Sequence, residues 1–255
     1  MPAQQNTFKT RLLAGETLIG CWLATGEAYV AEIMGTTGFD WLVVDAEHAP
    51  NDIRSIREHL TALAASEAEP VVRLPVGEAW MIKQALDAGT RTLLIPMVES
   101  GDQARALVRA CRYPPHGMRG VGAALGRATR FNEILDYTPT ADGEICLLVQ
   151  VESAAGLAAL GDILEVEGVD GVFIGPSDLA TDMGFRGDTE APEVQAAIAD
   201  ACARITGAGK AAGILGMADA AVKRYLDAGF GFVAVGADVI LLASGARALA
   251  AKWKG

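Results

Sequence analysis

The 255-residue chain lacks several things, and each absence removes a class of function. No stretch approaches the roughly 18 consecutive apolar residues that a membrane-spanning helix needs. The polar start, Met1 to Thr10, has no apolar run behind a basic patch, so neither a membrane nor export is expected and the protein is placed in the cytoplasm. Basic charge is short: 21 Lys and Arg face 32 Asp and Glu, a net charge of −11. Phosphate backbones are bound by clustered Lys and Arg, so nucleic acid is excluded as a partner. The 4 cysteines, Cys21, Cys111, Cys146 and Cys202, are far apart and form no CxxC pair, which reads as buried thiols in a reducing compartment. The glycine-rich turn of a dinucleotide fold is also missing. After the first β-like run the sequence is Ala24-Thr25-Gly26-Glu27-Ala28-Tyr29, so no nucleotide cofactor is expected.

What the chain does have is a regular alternation. Half of it, 51%, is hydrophobic, enough to fill one barrel-sized core over residues 1–255. Short aliphatic runs recur at Leu18–Leu23, Asp40–Asp45, Pro70–Leu74, Thr92–Met97, Ile145–Val151, Gly171–Gly175, Ala211–Leu215 and Gly231–Gly236, with helical stretches between them. Continuous apolar strands alternating with helices are the pattern of a parallel sheet covered on both faces, and eight of them predict a (β/α)8 TIM barrel. Asn6–Ala14 reads as an extra amphipathic helix able to plug the barrel bottom, and Leu241–Lys252 as an Ala/Leu-rich closing helix. One interval breaks the rhythm: Arg112 to Gly143, with Pro114-Pro115 and Arg119, Arg127 and Arg130. Long insertions in compact domains often serve substrates, but this one leaves a helix and so starts from the bottom face.

In such barrels the reacting groups stand at the carboxyl ends of the strands. There the sequence offers Asp45, Glu47 and His48 after the second run, Arg73 after the third, Gln150 and Glu152 after the fifth, and Ser177 and Asp178 after the sixth. Two carboxylates on adjacent strand ends, Glu152 and Asp178, suit a hard divalent cation, Mg2+ or Mn2+, with water and substrate completing its sphere. Gly175-Pro176-Ser177-Asp178 leads into a helix whose free N–H groups can hold a substrate carboxylate beside the cation. Together these form a two-point grip on a 2-oxo acid, with Gln150 as a further contact. Arg73 would add a donor at a developing oxyanion, and His48, titrating near neutrality, is the candidate proton shuttle. A Schiff-base aldolase would need a lysine inside the barrel, and the lysines fall in helices, at termini, or before the seventh run.

Three segments then bring a family into view: Phe39-Asp-Trp-Leu-Val-Val-Asp-Ala-Glu-His-Ala-Pro50, Tyr113-Pro-Pro-His-Gly-Met-Arg-Gly-Val-Gly122, and Val169-Asp-Gly-Val-Phe-Ile-Gly-Pro-Ser-Asp-Leu179. They resemble the class II pyruvate aldolases typified by 4-hydroxy-2-oxoheptane-1,7-dioate aldolase, within the citrate lyase superfamily, over nearly the whole chain. The resemblance implies reversible cleavage of a 4-hydroxy-2-oxo acid into pyruvate or hydroxypyruvate and an aldehyde through a metal-stabilised enolate. It implies a Mg2+, Mn2+ or Co2+ ion on Glu152 and Asp178, pyruvate contacts from Gln150 and the Ser177 region, Arg73 as oxyanion donor and His48 as base. It also implies an acid that raises the basicity of the histidine, at Asp87. That residue falls near the foot of the third barrel helix, about 15 Å below its own mouth at 1.5 Å per residue, so it is expected to serve a neighbouring subunit. This fits the homohexamer, a trimer of dimers with an exchanged C-terminal helix, that the resemblance implies. Ser177 stands where similar proteins can carry Ala, and Arg127-Ala-Thr-Arg-Phe131 where a Trp is expected, which leaves the aldehyde preference to loop and interface residues.

Two rival readings remain. A citryl- or malyl-CoA-type lyase of the same superfamily would need a basic patch for the CoA phosphates, and none is evident. A non-catalytic 2-oxo-acid-binding barrel would have no use for a base and an oxyanion donor.

Overall fold

The eight apolar runs become eight strands because each is buried on both faces. In the computed structural model, which describes residues 1–254, they are β1 (Leu18–Leu23), β2 (Trp41–Asp45), β3 (Glu69–Arg73), β4 (Thr92–Ile95), β5 (Cys146–Val151), β6 (Gly171–Ile174), β7 (Ala211–Leu215) and β8 (Phe232–Ala237). All pair in parallel and in chain order, and β8 closes on β1 with Leu18 beside Phe232. Every strand end lies within two residues of its sequence-based position. β4 stops earlier than expected: Pro96 offers no N–H to the ladder, and Met97 turns into a left-handed conformation, φ 53°.

The helices are α1 (Thr7–Leu13), α2 (Ala28–Gly35), α3 (Ile53–Ala62), α4 (Ala79–Asp87), α5 (Gly101–Cys111), α6 (Tyr137–Glu144), α7 (Ala154–Ala158), α8 (Leu160–Leu164), α9 (Pro176–Asp182), α10 (Pro192–Gly207), α11 (Asp219–Asp227) and α12 (Asp238–Lys254). Helices α2–α5 and α7–α11 follow the strands, and their apolar faces form the outer core with residues such as Ile56, Ile82, Ala104, Ile163 and Ile198. A second core fills the barrel itself: Trp22, Trp41, Val43, Val71, Leu94, Leu148, Phe173 and Phe232. Helix α1 closes its floor as expected. Asn6 caps the helix through Lys9 N and donates to Thr92 Oγ1 and the Glu144 carbonyl, while Phe8 enters the barrel with its ring 6.0 Å from that of Trp41. Trp41 needs space for this, and it is provided by Gly20, where a β-carbon would collide with the indole. The Trp41 indole N–H donates to the Leu18 carbonyl at 3.1 Å.

The insertion is more ordered than its composition predicts. It contains two 3-10 turns and all but the last residue of α6. Tyr137 and Ala141 on α6 pack with Ala3, Tyr113 and Ile134 in a small core of their own. The insertion does not climb to the barrel mouth of its own chain. Arg127 donates to the carbonyls of Ala88 and Leu60 at the feet of α4 and α3, and Arg119 reaches Asp87. Helix α12 begins at Asp238, three residues before the expected start. Among its described residues only Asp238 is buried, and Ile240, Leu241, Leu242, Leu249 and Trp253 are exposed.

Candidate active site at the barrel mouth

The mouth is organised around a buried arginine. β2 and β3 pair with Asp45 beside Arg73, which places both side chains inside the barrel at its upper rim. Arg73 grips Asp45 with its fork, Nε to Oδ1 at 2.8 Å and Nη2 to Oδ2 at 2.7 Å. Its Nη1 lies 2.9 Å from Glu47 Oε2, and its guanidinium sits 5.3 Å above the ring of Trp22. A guanidinium carries five N–H bonds. Nε and one Nη2 N–H donate to Asp45, while Nη1 meets Glu47 as an ion pair without a hydrogen bond, so N–H bonds remain for a ligand. Asp45 also shapes the turn that follows, accepting the backbone N–H of Glu47 at 3.0 Å and of His48 at 3.4 Å. The sequence identified Arg73 and the acids after β2. That Asp45 clamps the arginine, and that Trp22 stacks on it, depends on strand register and lay outside motif reading.

Glu152 stands on the next pair of strand ends. It is buried, accepting Met97 N–H on Oε1 at 2.9 Å and Gln150 Nε2 on Oε2 at 2.8 Å. The left-handed backbone at Met97 is what turns that N–H toward the carboxylate. Gly175 is required here, because a β-carbon would overlap Glu152 Oε2 and lie 2.8 Å from its Cβ. Burial pushes Glu152 up to about 7, opposed by the Met97 N–H and reinforced by the charges of Glu47 and Asp178. Glu47, half-buried, is also raised, first by burial, against the pull of Arg73 and His48.

A protein that collects Glu152, Glu47 and Asp178 within electrostatic reach of one another leaves negative charge undercompensated at the mouth. The donors are all oxygens, and Gln150 Oε1 is buried without a partner. This chemistry fits a hard divalent cation, held by carboxylates and completed by water and substrate. Asp178 lies in the first turn of α9, capped by Gly175 with Pro176 at the first helical position; both Asp178 and Ser177 face solvent. His48 is also exposed, at 68%, with Nε2 3.8 Å from Glu47 Oε1. Six of the seven sequence-predicted site residues therefore belong to the rim formed by β2, β3, β5 and β6. Asp87 does not: it ends α4 at the other pole of the barrel and pairs with Arg119 at 2.8 Å. A cavity of about 350 Å3 also lies at that lower pole, lined by Thr90, Arg91, Arg127 and Phe131 among others, and none of the rim residues borders it.

Two lysines are held by carbonyls at the floor of the barrel. Lys210 donates to the carbonyls of Val166 and Val169 below β7, and Lys9 donates to the Ile145 carbonyl below β5.

Comparison with known proteins agrees with this geometry. A hydroxypyruvate/pyruvate aldolase of Roseovarius nubinhibens is 58% identical over 254 residues, covering 100% of this chain and 99% of the relative. A 4-hydroxy-2-oxo-heptane-1,7-dioate aldolase of Salmonella dublin is 52% identical, covering 98% of this chain and 95% of the relative. The crystal structure of an HpcH/HpaI aldolase/citrate lyase family protein from Burkholderia cenocepacia superposes with a TM-score of 0.95 at 41% identity, over 98% of this chain and 100% of that one. The profile of the HpcH/HpaI aldolase/citrate lyase family matches residues 18–245. With the barrel, the family profile and these relatives in agreement, the chain belongs to the HpcH/HpaI aldolase/citrate lyase family and is a carbon–carbon lyase.

Proposed function

We propose that this enzyme cleaves 4-hydroxy-2-oxo acids reversibly to pyruvate or hydroxypyruvate and an aldehyde. The observation that carries the reading is the buried Glu152, raised to about 7 by burial and neighbouring acids, near an arginine that keeps N–H bonds uncommitted. Glu152 and Asp178 would hold a divalent cation, Mg2+, Mn2+ or Co2+. When bound, it supplies Lewis acidity to the ketone and carboxylate oxygens of a 2-oxo acid.

The chain's own residues do the rest. Gln150 fixes the Glu152 carboxylate and keeps one amide oxygen free at the site. Ser177, at the open start of α9, lies where a substrate carboxylate would be received. His48, exposed at the rim, takes the proton of the 4-hydroxyl as the bond between carbons 3 and 4 breaks. The electron pair moves toward the ketone oxygen, where Arg73 meets the growing negative charge with its spare N–H bonds. The imidazolium then returns its proton to carbon 3. Asp87 of one subunit is assigned to the His48 of a neighbour, supporting its positive charge within a hexamer built as a trimer of dimers through exchange of α12.

The decisive experiment is pyruvate release from 4-hydroxy-2-oxo acids of differing tail length and charge, with EDTA-treated enzyme and with Mg2+ or Mn2+ restored. Metal-restored release, with no adduct trapped by borohydride, is expected. A borohydride-trapped adduct, or release only from CoA thioesters, overturns the reading.

A further inference from the structure

The lower pole of the barrel holds a buried charge whose hydrogen bonds are only partly met. The Arg119 side chain is 0% exposed, its guanidinium stacked 4.4 Å from the ring centre of Tyr113 and 5.8 Å from that of Tyr137. One carboxylate answers it, Asp87 Oδ1, at 2.8 Å from Nη2; the Tyr137 hydroxyl is 3.5 Å away. Nε and Nη1 have no partner, nor has the Tyr113 hydroxyl, so three of the unpartnered buried side-chain atoms among the described residues meet in this one cluster. The other titratable groups around it are Cys111, Asp142, which receives the Tyr113 N–H, and Lys83, one turn before Asp87 and packed toward Gly120.

A buried arginine with unmatched N–H bonds is an expensive way to anchor a loop. Arg127 does that job in the same insertion with two backbone carbonyls. The difference lies in what Arg119 does to Asp87. It takes one carboxylate oxygen and leaves the other: Asp87 Oδ2 accepts no hydrogen bond among the described residues, and the side chain is 27% exposed. Gly122 lies against that oxygen, where even a β-carbon would stand 3.4 Å from Oδ2, an ordinary contact.

We infer that Arg119 is a positioning residue, which clamps Asp87 through Oδ1 between the two tyrosine rings so that Oδ2 is delivered to His48 of the partner subunit. This rests on the role proposed above for Asp87. One charge-assisted hydrogen bond from a guanidinium that is itself held between two rings fixes the position of Oδ1 and keeps the acid from collapsing onto Lys83 or into solvent.

The test compares Asp87→Asn, Arg119→Lys, Arg119→Ala and the Asp87→Asn/Arg119→Ala double variant with the parent, reading kcat, KM and the thermal midpoint. Asp87→Asn is expected to lower kcat at least about tenfold with KM within about twofold, the mark of a lost contribution to proton transfer. Arg119→Ala should do the same, the double variant should be no slower than the worse single, and millimolar methylguanidinium should restore kcat in Arg119→Ala but not in the double. Where Arg119→Ala fails to fold, Arg119→Lys, which keeps the charge without the fork, must still lose kcat. If Arg119 variants lose only thermal stability while Asp87→Asn loses kcat, the inference falls and the Asp87 role stands. If Asp87→Asn retains the parent kcat, both fall.

Discussion

In its proposed role as a metal ligand, Glu152 is where proton and cation would compete for one side chain. Its carboxyl is raised in the folded protein, so between the ordinary carboxylate range and about 7 the folded chain holds a proton that the unfolded chain has released. The stability tied to that proton is complete below the ordinary range and is lost as pH rises through about 7. Cation-free enzyme is therefore expected to lose thermal stability as pH climbs from about 4.5 to about 7, by up to about 3 kcal/mol. Glu152→Gln should flatten that part of the curve and abolish tight Mn2+ binding, both readable by calorimetry; an unchanged slope would refute the assignment. Mn2+ affinity of the parent should fall about tenfold per pH unit below 7, because each binding event must displace the proton. Gly175→Ala tests the same carboxylate from outside. The added methyl overlaps Glu152, so metal affinity and kcat should drop together while the barrel, followed by circular dichroism, persists.

At the scale of elements, the insertion and the strands obeyed different rules. Strands β1–β8 were legible because a parallel barrel buries both faces, leaving uninterrupted aliphatic runs bounded by glycine, proline or polar residues. Helix α6, Tyr-Thr-Pro-Thr-Ala-Asp-Gly-Glu over 137–144, was not, since proline and glycine inside it argue against a helix and its periodicity is weak. Tertiary packing of Tyr137 and Ala141 against Ala3, Tyr113 and Ile134 overrides that preference. The site divides in the same way. Glu152, Asp178, Arg73 and His48 follow strand ends and could be read from order alone. The Met97 N–H that holds Glu152, and the fork between Arg73 and Asp45, arise from a left-handed residue and from strand register, which no local pattern announces. Arg127 offers an element-scale prediction. It ties α3 and α4 together through the carbonyls of Leu60 and Ala88, so Arg127→Ala should cost about 1–3 kcal/mol in chemical denaturation and leave kcat per folded enzyme unchanged. A selective loss of kcat would instead return the insertion to the substrate.

For the whole molecule, the polarity of the barrel is the central fact. His48, Arg73, Glu152 and Asp178 belong to the upper rim, while Asp87 and Arg119 belong to the lower pole. Helix α12 leaves the rim with its apolar side chains exposed, tied to the β1 loop by Asp238, which accepts the N–H groups of Ala24 and Thr25 and the Thr25 hydroxyl. If subunits complete one another's sites, His48→Ala and Asp87→Asn chains, each slow alone, should recover activity when mixed, unfolded and reassembled. Sites that draw both wild-type halves from different chains would then work. Recovery no greater than the average of the two parents would show that each barrel acts alone.

With Asp87 in its proposed role, the two-ended layout would also make catalysis answer to mass action. If Asp87 serves a neighbour's site as proposed, each chain carries the rim half of one site and the Asp87 half of another, two half-enzymes joined back to back. Its specific activity should then depend on its own concentration, declining on dilution below the subunit dissociation constant even with saturating substrate and cation, and recovering on reconcentration without any change in the fold of the barrel.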